Sequence, residues 1–138
     1  MIRGVRGATT VPVNDARQIA ERTRELIRLL VEANGMAPGD IASALFTVTE
    51  DLDSAFPSVA ARGFPDWKDV PLLCAREIPV PGSLVRCIRI LIHWNTDRPQ
   101  GQVRHVFLRD ARRLRPEWAV PVAGDEDEES SRLAGGGS

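Results

Sequence analysis

Apolar residues recur at helical spacing over one long stretch of the chain and alternate, or run together, over several shorter ones. In the long stretch Ile19, Ala20, Thr23, Leu26, Ile27, Leu30 and Val31 share one side of a helical wheel, with Glu21, Glu25, Arg28 and Glu32 opposite. Asn14 suits the N-cap and Gly35 the stop, so a helix is predicted to about Asn34. Glu21–Arg24 and Glu25–Arg28 are spaced to support it as ion pairs. Ahead of it, the run from Ile2 to Thr10 is predicted as a strand. Alternation there puts Arg6 with Gly4 and Ala8, and Arg3 with Val5 and Gly7. The glycines beside Arg6 leave room for close approach of a ligand or another backbone.

After the helix, Pro38-Gly39-Asp40 turns the chain into a strand that includes Leu45 to Thr49, rich in β-formers. The segment from Ser54 to Arg62 is Ala-rich with Pro57 near its start, which predicts a short helix. Val70 to Glu77 and Val85 to Trp94 are predicted as a pair of strands joined by Pro79-Val80-Pro81-Gly82. On the second, Arg86, Ile88, Ile90 and Ile92 face one way and Cys87, Arg89, Leu91 and His93 the other. Val103 to Leu108 is a further strand, and Arg109 to Arg115 an Arg-rich helix or turn ended by Pro116. The sum is an α+β (α/β-like) arrangement, a mixed sheet with one long and one or two short helices. So few helices leave sheet surface uncovered, which implies a homo-oligomer.

Length allows a single domain, taken as residues 1–120. Residues 121–138, with Asp125-Glu126-Asp127-Glu128-Glu129 and a Gly/Ser-rich end, are predicted to be a disordered acidic tail. A charge of −1 argues against a general nucleic-acid binder. Two cysteines and two histidines, none at metal-ligand spacing, argue against a zinc site. Cys74 and Cys87 are expected to be free thiols of a cytoplasmic protein, and no apolar run is long enough to span a membrane.

Phosphate-loop, nucleophile-elbow, CxxC and HExxH patterns are absent from the sequence. What stands out instead is Arg89 in the middle of an apolar strand. A guanidinium cannot shed its proton, so if buried it needs an anion: Glu77, another carboxylate, or a ligand. Arg6, Arg89 and Glu77, with the thiol Cys74, suit a small, multiply anionic ligand that also carries a hydroxyl. Cys74 and Glu77, three residues apart, face opposite ways on a regular strand unless the strand end relaxes this. With no nucleophile–base pair, any reaction here has to be driven by positioning and electrostatics. Phe56 suits core packing or a ligand wall, and His105 a satisfied, half-buried position.

IRGVRGATTV, FTVTEDLDSAFPSVAAR, VPLLCAREIPVPGSLVRCIRIL and NTDRPQGQVRHVFLRDARRLRP occur in order. Together they resemble the monofunctional chorismate mutases of the AroH class, from Met1 to about Trp118. The resemblance implies a trimeric pseudo-α/β barrel with clefts between subunits. It also implies conversion of chorismate to prephenate by a pericyclic Claisen rearrangement, on the route to phenylalanine and tyrosine, with no cofactor or metal. It assigns Arg89 to the breaking ether oxygen and one carboxylate, Glu77 and Cys74 to the ring hydroxyl, and Arg6 to the side-chain carboxylate. Phe56, Ser58, Leu72, Leu73 and Leu114 would form the wall, and Arg62 and Arg115 the mouth. It further implies that Glu77 and Arg89 are held apart for the substrate rather than closed into a simple salt bridge. Phe107 departs from the family, which commonly has Tyr there; Val59 stands where a Lys can occur, and Leu73 where a polar residue sometimes does. Competing readings are a non-catalytic trimeric binder of a small carboxylate on the same scaffold, a trimeric enamine/imine deaminase of similar architecture, and a structural Glu77–Arg89 pair in a packing domain.

Overall fold

A computed structural model of the chain describes residues 1–123. Strands β1 (Ile2–Thr10), β2 (Ile41–Val48), β3 (Leu72–Arg76), β4 (Cys87–Asn95) and β5 (Val106–Phe107) form one sheet, and α1 (Ala16–Asn34) is its long helix. The strand order is β3-β2-β4-β1-β5. β4 runs antiparallel to both β1 and β2, whereas β2–β3 and β1–β5 are parallel. The sheet is therefore mixed and the fold α+β.

Helix α1 covers one face. Leu26, Ile27 and Leu30 pack with Val5, Phe46, Ile90 and Ile92 into the main core. Gly7 permits that approach: a Cβ there would sit 2.8 Å from Leu30 Cδ1 and 3.0 Å from Leu26 Cδ1. The room at Gly7 is thus filled by helix side chains, whereas at Gly4, on the face of Arg6, a Cβ would meet only Leu91 Cδ1 at 3.7 Å. On the far face Leu45, Leu91 and His93 are half-buried and Leu73 is 68% exposed. A second cluster covers part of that face, where Leu114 and Trp118 lie over Ala8, Cys87, Phe107 and Ala111.

Several boundaries differ from the sequence expectation, each for a local reason. The helix is capped by Asp15, whose carboxylate accepts the Gln18 N–H at 3.1 Å. Asn14 instead ties down the loop after β2, donating to Asp53 and accepting from the Asp53 and Ser54 N–H groups. Glu25 is taken by the buried Arg109, and the pairs along the helix are Arg17–Glu21 and Arg28–Glu32. The Ser54–Arg62 helix is a 3₁₀ turn, Pro57–Gly63. β4 begins at Cys87 because Arg86 adopts φ 46° and gives its N–H to the Asp51 carboxylate. β5 shrinks to two residues because the Arg104 N–H goes to Asn34 Oδ1 at 2.8 Å rather than to a strand.

The largest correction concerns the predicted strand pair. β3 and β4 are not neighbours, because β2 lies between them. Parallel β2–β3 pairing carries Pro79–Val85 across the end of β2 before β4 starts. Among the described residues no helix is long and apolar enough to cross a membrane. The predicted acidic tail falls almost wholly on residues 124–138, outside the described residues.

Candidate active site

Register decides which strand residues can meet. Ala8 and Thr47 flank Arg89 on its two sides, Ala75 flanks Thr47, and Leu91 lies beside Arg6. With Gly7 turned toward α1, all of these project from the opposite face. Glu77 follows the same alternation one step past β3, where its N–H bonds the Val48 carbonyl at 2.8 Å. Its carboxylate therefore reaches across β2 toward Arg89.

The two charges meet there. Arg89 Nε lies 3.5 Å from Glu77 Oε1, with side chains 32% and 26% exposed. The expectation that they are held apart is not what this chain shows: they form an ion pair. It is a loose one, since Arg89 Nε is buried and makes no hydrogen bond among the described residues. The same Glu77 oxygen is held by Thr47, whose hydroxyl donates to Oε1 at 2.5 Å. Beneath Arg89 the buried Cys87 thiol is pushed up to about 11, chiefly by burial, with the guanidinium pulling the other way.

Arg6 lies beside this pair. Its Cζ stands 5.5 Å from the centroid of the Phe107 ring, a cation–π contact. Burial, then Arg89 and Arg115, lower its pKa from the ordinary guanidinium value, and Glu77 opposes them. Arg6, Arg89, Arg115 and Glu77 thus form one electrostatic cluster. Arg115 itself rests on the Trp118 ring, with Cζ 3.6 Å from the centroid, and is bonded to Glu117 at 2.5 Å. Phe107 is fully buried beneath Leu114 and Trp118, its ring centroid 5.6 Å from that of Trp118. A cleft of about 220 Å³ opens next to Glu77, between Thr49, Asp51 and the Ile78–Val85 loop. A larger one of about 850 Å³ is lined by Arg98, Arg104, His105 and Trp118 but by none of Arg6, Glu77 and Arg89.

Other residues singled out in the sequence stand apart from this cluster within one chain. Leu72 and Cys74 turn to the α1 side, Cys74 level with Phe46, and pack on the main core. Leu73 projects from the far face at the β3 edge. Phe56, 70% exposed, with half-buried Ser58 and exposed Arg62, sits on or beside the Pro57–Gly63 turn, which packs against α1 and β3. Residues the sequence reasoning passed over are Thr47, Trp118 and the hydrogen bonding of His105. Alternation alone places Thr47 on a face, but only the β2–β4 register puts it beside Arg89.

Two arginines and a carboxylate on one sheet face, with an aromatic beside Arg6, form an arrangement able to take an anion that also offers a hydroxyl. Comparison with known proteins makes that class specific. Residues 2–118 match the family described as chorismate mutase type I. The chorismate mutase AroH of Thermus thermophilus is 56% identical over 118 residues, 85% of this chain and 96% of that protein. That of Bacillus subtilis (strain 168) is 41% identical over 120 residues, 87% of this chain and 94% of the relative. A solved chorismate mutase from Clostridium thermocellum superposes with a TM-score of 0.77 at 47% identity, covering 79% of this chain and 96% of the other. The chain belongs to the chorismate mutase type I family.

Proposed function

We propose that this chain rearranges chorismate to prephenate, in the biosynthesis of aromatic amino acids, at the cluster of Arg6, Glu77 and Arg89. The observation that carries the assignment to these residues is their convergence on one sheet face, in a chain of this family, with Arg89 Nε still without a hydrogen bond. Chorismate brings two carboxylates, a ring hydroxyl, and an ether oxygen that gains negative charge as its C–O bond breaks. Arg89 donates to that oxygen and to one carboxylate, an interaction stronger in the transition state than in the ground state. Glu77, steadied by Thr47, accepts from the ring hydroxyl. Arg6 holds the other carboxylate and favours the compact conformer in which the reacting carbons meet. Phe107 supports the Arg6 guanidinium with its ring but offers no hydroxyl.

The working unit in this reading is a homotrimer in the cytoplasm, formed by the domain of residues 1–120, with each site between two subunits. Half-covered Leu45, Leu91 and His93 and exposed Leu73 on the far sheet face support burial against another copy. So does the separation of Phe56, Ser58, Arg62, Leu72, Leu73 and Cys74 from Arg6: a neighbour's β3 edge can supply wall and mouth residues that its own chain does not bring to the cluster. The test is loss of the ultraviolet absorbance of chorismate, with prephenate identified as the product. Chorismate bound but not consumed would refute the catalytic reading in favour of a carboxylate binder.

A further inference from the structure

The edge of β1 shows how Arg6 is aimed. Backbone pairing with β5 covers Gly7 and Ala8 only. Nearer the start of β1, side chains stand in for the missing strand. Gln100 bonds both the N–H and the carbonyl of Gly4, at 3.1 and 2.7 Å. The Arg6 N–H donates to His105 Nδ1 at 2.9 Å. Accepting that bond requires a lone pair on Nδ1, so the ring carries its proton on Nε2 and is neutral. The same ring stacks on Trp118 with centroids 3.8 Å apart, and Trp118 carries the Arg115 guanidinium. Contacts therefore run without a gap from the Arg6 backbone through His105 and Trp118 to Arg115.

We infer that His105 is a positioning residue: its Nδ1 fixes the strand where Arg6 leaves it, and its ring docks the Trp118–Arg115 segment beside the same guanidinium. This rests on the proposed role of Arg6 in binding a substrate carboxylate. The surroundings of the imidazole disfavour a second proton on the ring. Burial, then Arg6 on β1 and Arg115 on the C-terminal segment, lower its pKa from the ordinary imidazole value. Arg98, Arg104 and Glu117 line the cleft it faces, and only Glu117 among them favours a proton. Protonation sets an Nδ1–H against the Arg6 N–H and adds a third positive charge beside Arg6 and Arg115. The anchor is then lost and the segment released.

A side chain that merely seals the strand edge would affect stability alone, so the test reads KM separately. Wild type, His105→Asn and His105→Ala are compared in chorismate turnover from roughly pH 5 to 8, the range in which imidazoles titrate, with circular dichroism on each. Asn keeps an acceptor two bonds from Cβ, near the position of Nδ1. We expect His105→Ala to raise KM roughly 3- to 10-fold, the span of one lost hydrogen bond, with kcat little changed, and His105→Asn to restore the part carried by the Nδ1 acceptor but not the part carried by the ring stack on Trp118. Wild-type KM should climb as the pH falls through the imidazole titration, and the His105→Asn profile should be flat there. A folded His105→Ala chain with wild-type KM overturns the inference. So does an inflection in His105→Asn matching that of wild type, which decides the matter even where the alanine variant fails to fold. A wild-type chain that leaves chorismate untouched overturns the underlying functional reading, and is told apart by appearing in the wild type.

Discussion

Replacing Arg89 by alanine separates catalysis from structure, because the geometry assigns the two roles very different magnitudes. As a structural element, Arg89 contributes a 3.5 Å ion pair with Glu77 in which both side chains keep about a third to a quarter of their exposure. Pairs of that kind contribute about 0.2–1 kcal/mol, and Glu77 retains the Thr47 hydroxyl when Arg89 is gone. As a transition-state donor, one well-placed group contributes about 2.7–4 kcal/mol, or roughly 10²–10³ in kcat. Enzymes generally need at least ~8 kcal/mol at the transition state, so in the proposed mechanism Arg89 would carry a large share and Arg6 would add conformer selection. The expected result for Arg89→Ala is a fall in kcat of about two to three orders of magnitude beside a stability loss near 1 kcal/mol at most. Arg89→Lys keeps the charge but loses the planar fork, and should fall between. The assay is the initial rate of chorismate absorbance loss at saturating substrate, paired with urea unfolding. A folded alanine variant within tenfold of wild-type kcat would sink the assignment. A stability loss much larger than the kinetic loss would make the pair structural.

Gly7→Ala should destabilise the chain by about 1–2 kcal/mol, within the range for overpacking. The new methyl meets Leu30, Leu26 and Ile90 at 2.8 to 3.1 Å, and the readout is the urea midpoint. A disulfide thiol reagent at mildly alkaline pH should titrate one cysteine in the folded chain and the second only after denaturation. Cys87 is buried with its thiol held up near 11, whereas Cys74 is half-buried at an edge strand. Acid should destabilise the fold through His105. Its folded pKa is depressed, so between that value and the unfolded one the unfolded chain binds more protons. Stability is then complete above the unfolded imidazole value and falls as the pH drops through the window below it. His105→Asn should flatten that part of a melting-temperature profile against pH.

The α+β class, the helix and the face alternation of β4 were legible because each depends on local periodicity. Ile88, Ile90 and Ile92 are buried under α1 while Arg89, Leu91 and His93 are not. Strand order was not legible, since nothing local distinguishes a Pro/Gly turn of a hairpin from one that leads past an intervening strand. For that reason the Glu77–Arg89 relation was proposed across the wrong neighbour: the two meet over β2, with Thr47 between. Strand ends were lost to side chains that outcompete the ladder, Asp51 for the Arg86 N–H and Asn34 for that of Arg104. Arg6, Arg89 and Glu77 could be chosen from sequence because charges on apolar strands are costly without a purpose. Cys74 shows the limit of such choices, since its alternation turns it to the core side of its own chain.

The cluster's charge count explains why a dianion suits it. Arg6 and Arg89 face the single carboxylate of Glu77, which leaves one uncompensated positive charge at the centre. Arg115 lies in the same field, with its own charge met by Glu117. In the free chain this excess is unfavourable, as the lowered pKa of Arg6 records: burial comes first among the causes, the two other arginines next. A ligand with two carboxylates removes the repulsion among the arginines as well as forming its own bonds. Part of its binding energy is therefore relief of strain already present in the free site. Glu77 moderates that strain but cannot abolish it, because Thr47 engages the same oxygen that faces Arg89 and the Arg89 Nε bond stays open. A tighter Glu77–Arg89 pair would stabilise the free chain and weaken Arg89 as the donor proposed for the breaking ether bond. In the proposed role, the loose geometry leaves Arg89 oriented and incompletely satisfied, the condition under which a donor acts more strongly on a developing charge than on the ground state.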